Sequence, residues 1–477
     1  MEGKYTMYYD CEVEDEIHEE CGVFGIYSKQ PSDLSDPART TFYGLYALQH
    51  RGQQSAGIAV SNGINIALHK NEGLVSEVIR QEHIEQLRGH VAIGHVQYSP
   101  LGDSGVMNAQ PAVFHYLQGA MALSYNGSMC NLRGLREQLA RNGSIFQTDS
   151  DTEIIANLLA RYAEDSMEET LQKCMRDMEG AYALLIMTKD QLIGVRDPLG
   201  VKPLCIGRLK DDFVLASESA ALDTIGATLV RDVEPGEIVI INGKGMNTIQ
   251  AIKQKKKAHC IFEYVYLARP DSSIDSINVT YARRAIGREL AKEWPVEADV
   301  VISVPDSGTE AALGYAEAAN MPFQQGLMKN RYVGRTFIQP TQQMRELGVQ
   351  LKLNPIKQIV QGKRLIVVDD SIVRGTTSRQ IVQMLRTAGA QEVHMMIASP
   401  PTKYPCYYGI DTTNPNELIA NSMEVEAICE YIGADSLHYI SIEGIFAALG
   451  EHGSIFCAAC FDGKYPIPIE ACSGDIS

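Results

Sequence analysis

The sequence predicts an α+β domain with antiparallel sheets, followed by an α/β domain built on a parallel sheet. At 477 residues the chain exceeds one ordinary hydrophobic core. From Cys21 to about Asn242 it reads as short strands: "CGVFGIY", "INIAL", "VAIGHV", "MALSY" and "AYALLIMT". Helical stretches such as "DTEIIANLLARYA" lie between them, and strands mixed with helices at this spacing fit an α+β sandwich. Beyond residue 253 the rhythm changes. "ADVVISVPD", "RLIVVDDS" and "EVHMMIASP" are continuous apolar runs that end in polar turns. Such runs suit strands buried on both faces of a parallel sheet. Ligands in that architecture bind at the carboxyl ends of the strands.

Composition narrows the function. The chain carries 42 basic and 59 acidic residues, a formal charge of -17, which disfavours a general nucleic-acid binder. No run of 18 or more nearly uncharged apolar residues occurs, so no membrane span is expected, and a cytoplasmic protein is. Eleven scattered cysteines, an odd count, argue against a disulfide framework and leave thiols for catalysis or metal ligation. The lysine run in "KQKKKAHC" reads as a solvated connector and places a domain boundary at 252/253.

The most specific stretch is "RLIVVDDSIVRGTTSRQIVQMLRTAG". A strand over Leu365–Val368 ends at Asp369 and Asp370, and a loop with Arg374 and Gly375 leads into a helix. That helix turns Ile381, Leu385 and Ala388 inward, and Gly389 can end it. Its N-terminus offers free N–H groups and a positive dipole end to a phosphate. Thr376, Thr377 and Ser378 add hydroxyl donors. The carboxylate pair suits either Mg²⁺ or the two hydroxyls of a ribose. This stretch resembles the phosphoribosylpyrophosphate (PRPP) signature of type I phosphoribosyltransferases. The resemblance implies that the acidic pair holds the ribose hydroxyls and the loop holds the 5′-phosphate. "SVPDSGTEAALGYAEA" is similar to the pyrophosphate-side loop of that family, with Ser307 at its turn. Between the two loops, Lys329, Arg331 and Arg335 lie in a long basic segment suited to closing over a pyrophosphate.

The first half poses a separate question at "EECGVFGIYS". Twenty residues with eight acids and one lysine precede Cys21. They lack the basic start and apolar core of a secretory signal. "CGVFGIY", "LQHRGQQSAGI", "GHVQYS", "YNGS" and "SDTE" together resemble the N-terminal nucleophile (Ntn) glutaminase domain of class II amidotransferases. Their order and their fusion to a PRPP site resemble the glutamine phosphoribosylpyrophosphate amidotransferase family, from Cys21 to about Pro466. A thiol attacks a carboxamide best as a thiolate, and an N-terminal amine of pKa ~8 can serve its own side chain as base. That chemistry requires removal of a propeptide, residues 1–20, between Glu20 and Cys21. The resemblance implies an Ntn domain over 21–252. It implies a phosphoribosyltransferase domain with a C-terminal cluster-binding segment over 253–477.

Further roles follow from the same resemblance. Asn126 and Gly127 match oxyanion-hole donors, each worth roughly 2.7–4 kcal/mol in a transition state. Asp151 matches the acid that binds the substrate ammonium. Arg51 and Tyr98 match residues that assemble the site and couple it to the other half. Gln97 departs from the pattern, because the family usually has arginine there, paired with the glutamine α-carboxylate. Loss of that charge-assisted bond costs roughly 1.5–3 kcal/mol. Tyr125 and Ser128 replace the usual histidine and asparagine. Weakened use of glutamine is therefore expected.

Cys457 and Cys460 form a CxxC, which by itself fits zinc, a redox pair or chance. With Cys260 and Cys406 they match the ligands of an iron–sulfur cluster in one branch of the family, and four thiolates suit [4Fe–4S] or zinc. The other six cysteines match no site. The resemblance implies conversion of PRPP, glutamine and water to 5-phosphoribosylamine, pyrophosphate and glutamate, the first committed step of purine synthesis. It also implies Mg²⁺ and a [4Fe–4S] cluster as cofactors, feedback inhibition by purine nucleotides, and a homotetramer. Two alternatives compete. One is a glutaminase-impaired relative that uses ammonia or another amine with PRPP. The other is a non-enzymatic PRPP-sensing regulator, which would need a basic DNA-binding domain that this acidic chain does not offer.

Overall fold

The computed structural model describes residues 21–31, 36–98, 105–164, 166–253, 256–330, 352–410, 412, 414–450 and 455–468. The proposed leader, Arg331 and Arg335 lie outside them.

Two antiparallel sheets make the first half. One has seven strands in the order β11 (Thr228–Asp232), β9 (Cys205–Leu209), β10 (Asp212–Ala216), β1 (Cys21–Tyr27), β4 (Val91–Gln97), β2 (Ser55–Ser61) and β3 (Ile66–Glu72). The other has six, in the order β13 (Gly245–Gln250), β12 (Glu237–Asn242), β8 (Leu192–Arg196), β7 (Gly180–Met187), β6 (Gly119–Met129) and β5 (Ala112–Tyr116). Side chains alternate between faces along a strand, and each central strand serves two cores. Val23 and Tyr27 of β1 join Val91 and Ile93 of β4 between the sheets, against Ala183 and Leu185 of β7. Phe24 and Ile26 point the other way, onto the helix Pro37–Ala47. Asp36 starts that helix by accepting a hydrogen bond from Ala38 N at 3.1 Å. Helices Leu132–Arg141, Asp151–Arg161 and Met167–Asp177 cover the outer face of the second sheet. The strand expected at "INIAL" begins only at Ile66. Asn62 Oδ1 accepts from the N–H groups of Ile64 and Asn65, so Ile64 sits in an exposed turn.

The second half follows a different plan. After β14 (His259–Cys260) and the hairpin of β15 (Ser273–Ile274) and β16 (Ile277–Asn278) comes a parallel sheet. Its order is β17 (Val300–Ser303), β20 (Arg364–Asp369), β21 (Glu392–Ile397) and β22 (Ser436–Tyr439). A short antiparallel pair, β18 (Leu327–Lys329) and β19 (Leu353–Pro355), lies between β17 and β20 in the chain. Both faces of the parallel sheet are buried. Ile366 and Val368 enter one core, and Leu365 and Val367 enter the other. That two-sided burial explains the unbroken apolar runs. β23 (Phe456–Cys457) returns to pair with β14.

Candidate active sites

Cys21 opens β1 and is 6% exposed. Across the sheet it stands opposite Gln97, the last residue of β4, which in turn stands opposite Ser55 of β2. Gln97 Oε1 accepts from Ser55 Oγ at 3.1 Å. Gln97 and Tyr98 are both half-buried. Alternation places Cys21 on the face of β1 that Val23 shares, toward β6 and β7.

Asn126 lies on the matching face of β6. It is 0% exposed, and neither Nδ2 nor Oδ1 has a hydrogen-bond partner. Unpartnered buried amides are rare, and one facing a nucleophile has the chemistry of an oxyanion donor that pairs only when substrate arrives. Gly127 has φ +146, and a Cβ there would lie 2.0 Å from the Ala181 carbonyl oxygen. Only glycine fits. Asp151 is the first residue of the helix Asp151–Arg161 and is half-buried. Its approach loop is held by Glu153, whose carboxylate accepts from Gln147 N at 2.8 Å and Thr148 N at 2.7 Å.

Arg51 sits at the junction of the two halves, in the 3₁₀ turn Gln49–Arg51. It is 1% exposed, donates through Nε to Glu218, and places Nη2 2.6 Å from Glu263 Oε2. Burial lifts the Glu218 pKa, but Arg51 and His50 outweigh it and leave it below the usual carboxylate range. Arg51 thus joins the first half of the chain, through Glu218, to the second, through Glu263. Glu218 and Glu263 carried no sequence signal, since their pairing spans 167 and 212 positions.

At the second site, β17 and β20 are adjacent and parallel, so their following loops meet at the carboxyl ends. Ser307 Oγ donates to Asp370 Oδ1 at 2.5 Å, and Ser371 Oγ to Asp370 Oδ2 at 2.7 Å. Asp369 Oδ1 accepts from Asp370 N at 2.9 Å. Lys329, on β18, reaches Asp306 Oδ2 at 3.3 Å, which brings the start of the basic segment over this loop. Gly375 has φ +79 and opens the helix Thr376–Thr387. Thr376 is exposed and Thr377 half-buried, whereas Ser378 is 3% exposed and faces inward. Arg374 donates to Glu417. Among the described residues no group of three or more His, Cys, Asp or Glu could hold a metal ion. Two carboxylates still fit Mg²⁺, which takes one or two of them and completes its shell with substrate phosphates and water.

Cys260 of β14 pairs in register with Cys457 of β23. Cys406 packs in the same cluster as both. Burial lifts the thiol pKa of Cys260 and Cys460 well above the ordinary value and that of Cys457 to about 12. Mutual repulsion among the four sulfurs adds to the rise. Three half-buried thiols that resist ionising, with Cys406 packed beside them, suit a centre that supplies positive charge. Among the described residues they form no group that could hold a metal ion. Tyr408 N donates to Cys406 Sγ at 3.4 Å. Lys202, 2% exposed, donates to Gly409 O at 3.1 Å and pulls the Cys260 pKa down. Cys130, expected as an ordinary thiol, is disulfide-bonded.

Fold and sites define the class: a glutamine amidotransferase domain of the Ntn type joined to a phosphoribosyltransferase domain. A family model described as "Glutamine amidotransferase domain" matches residues 102–224. The amidophosphoribosyltransferase of Bacillus subtilis is 48% identical over 458 residues, covering 95% of this chain and 95% of its own length. That of Archaeoglobus fulgidus is 48% identical and covers 94% and 98%. The solved structure of glutamine PRPP amidotransferase from B. subtilis, complexed with ADP and GMP, superposes with TM-score 0.89 over 94% of this chain and 98% of that one. The chain belongs to the amidophosphoribosyltransferase family.

Proposed function

We propose that this protein transfers the amide nitrogen of glutamine to PRPP, yielding 5-phosphoribosylamine, pyrophosphate and glutamate. The observation that carries it is the buried, unpartnered Asn126 amide on the face opposite Cys21. Cys21 Sγ attacks the glutamine amide carbon, and Asn126 Nδ2 and Gly127 N–H stabilise the oxyanion. Ammonia leaves, and water hydrolyses the thioester to glutamate. At the second site ammonia attacks C1 of the ribose and expels pyrophosphate, so atoms balance with one water consumed. Asp151 receives the glutamine ammonium. Asp369 and Asp370, with Ser307, hold Mg²⁺ and the ribose hydroxyls, and the loop Arg374–Ser378 holds the 5′-phosphate. Cleavage before Cys21 frees its amine as base, and 21–252 and 253–477 are the two domains. The four cysteines bind a [4Fe–4S] cluster of structural role. Purine nucleotides inhibit, as supported by the ADP and GMP in the B. subtilis complex.

Pyrophosphate release from Mg·PRPP, measured with anaerobically purified protein, tests this. Activity with glutamine and with ammonia supports the whole scheme. Activity with ammonia alone removes the glutaminase and leaves the second site.

A further inference from the structure

The residue before Asn126 is held from outside its own sheet. β5 starts at Ala112, opposite Leu123 of β6, so its ladder stops short of Tyr125. In an antiparallel ladder successive residues turn their N–H and C=O groups to opposite sides. Cys130 N bonds Glu179 O across the β7 side. Even-numbered residues of β6 therefore face β7, and Tyr125 and Gly127 face the side that β5 has left. Two side chains fill that place at Tyr125. Gln110 Oε1 accepts from Tyr125 N at 2.7 Å, and Gln110 Nε2 lies 3.5 Å from Tyr125 O. His95 Nε2 lies 2.9 Å from the same carbonyl.

His95 belongs to β4, in the facing sheet, directly opposite Val23 of β1. It is therefore one side-chain repeat from Cys21, on the same face. It is 0% exposed, and its Nδ1 has no partner. Burial pushes its pKa down to about 4, against the pull of the Tyr125 carbonyl, and Lys70 adds to the fall. The imidazole is thus neutral at neutral pH. A carbonyl can only accept, so the single proton sits on Nε2.

We propose that His95 is a positioning residue for glutamine hydrolysis: it ties the strand bearing the oxyanion donors to the sheet bearing the nucleophile. The inference rests on the reading that Cys21, Asn126 and Gly127 hydrolyse glutamine. Without the tie, β6 keeps its β7 ladder, the Gln110 bonds and the apolar packing between sheets, but loses the directional bond to β4 that fixes the distance from Cys21 Sγ to Asn126 and Gly127. Misplacement of about 1 Å can cost on the order of 100-fold in rate.

The test compares His95→Gln, His95→Asn and His95→Leu. A glutamine amide reaches as far as Nε2, and an asparagine amide does not. His95→Leu and His95→Asn should lower kcat with glutamine about 10- to 100-fold, with KM for glutamine nearly unchanged, and His95→Gln should recover most of it. Ammonia-dependent activity should stay at the wild-type level in all three, and thermal unfolding followed by circular dichroism reports folding of the glutaminase half if one variant is poorly soluble. Alkylation of Cys21 by iodoacetamide, read by peptide mass spectrometry, forms no oxyanion and should keep its rate. Wild-type kcat in His95→Asn, or parallel losses of kcat and alkylation, would overturn the proposal. Absence of glutamine use in the wild type would instead defeat the glutaminase reading on which it rests.

Discussion

Replacing Asn126 with leucine sets catalysis against stability. In the folded protein the Asn126 side chain is fully buried and both its polar atoms are unpaired. A buried polar group without a partner costs about 1–3 kcal/mol. Leucine has the same branching at Cγ and no polar atom, so the substitution removes that cost without opening a cavity, and the relief must exceed the strain of its larger methyl groups. For a domain of this size each kcal/mol shifts the melting temperature by roughly 2–4 °C. Asn126→Leu should therefore raise the unfolding transition of the glutaminase half by several degrees. The same change removes one oxyanion donor, worth roughly 2.7–4 kcal/mol, and should lower kcat with glutamine about 100- to 1,000-fold. Ammonia-dependent synthesis needs no thioester and should persist. Scanning calorimetry and pyrophosphate release with each nitrogen donor read both effects on one preparation. A clear fall in melting temperature would refute the reasoning, because it would mean that the amide is satisfied in the free protein.

Other perturbations reach the remaining parts. Arg51→Met leaves Glu218 and Glu263 buried without their shared cation and should destabilise by about 3–5 kcal/mol. In the native protein the lowered Glu218 pKa contributes stability above the unfolded value, ~4.3, that is lost as pH falls through the folded one. In the variant burial acts without Arg51, the folded pKa rises, and stability is lost as pH rises instead. Urea midpoints should show the deficit shrinking from about pH 8 to about pH 5, and a pH-independent deficit would sink this account. Gln97→Arg restores a guanidinium for the glutamine α-carboxylate and should lower KM for glutamine about 10-fold or more, seen in initial rates. Asp370→Asn should abolish pyrophosphate release with either nitrogen donor while thioester hydrolysis continues, measured as glutamate formed. Anaerobically purified protein should carry iron and sulfide in equal amounts, and Cys457→Ser should lose both, by colorimetric assay.

Local chemistry was legible in the sequence, because its parts are contiguous. The strand, acidic pair, glycine and hydroxyls over Arg364–Ser378 form one unit, and their order already implies a phosphate loop at a strand end. Two-sided burial of Leu365–Val368 and a strand at "CGVFGIY" were readable for the same reason: strand periodicity is a nearest-neighbour property. Resemblance supplied what spacing does not, including the roles proposed for Asn126, Gly127 and the four cysteines. The boundary at "INIAL" was misplaced, because an asparagine side chain competed for the N–H groups that a strand would have paired.

What only the tertiary structure decided concerns partners distant in sequence. The Arg51 ties to Glu218 and Glu263, the Ser307 bond to Asp370, and the His95 bond to the Tyr125 carbonyl each join separate elements. None leaves a local pattern, because a lone glutamate or histidine looks the same whether its partner is water or a buried cation. The fold removes the water, and each of these groups must then find a partner or stay neutral. By itself the sequence indicated sheets of two kinds, a strand–turn–helix loop suited to phosphate and a cysteine at the start of a strand. Packing determined that Asn126 is buried with its amide unpartnered and how the two halves are tied, since burial is a property of the assembled chain.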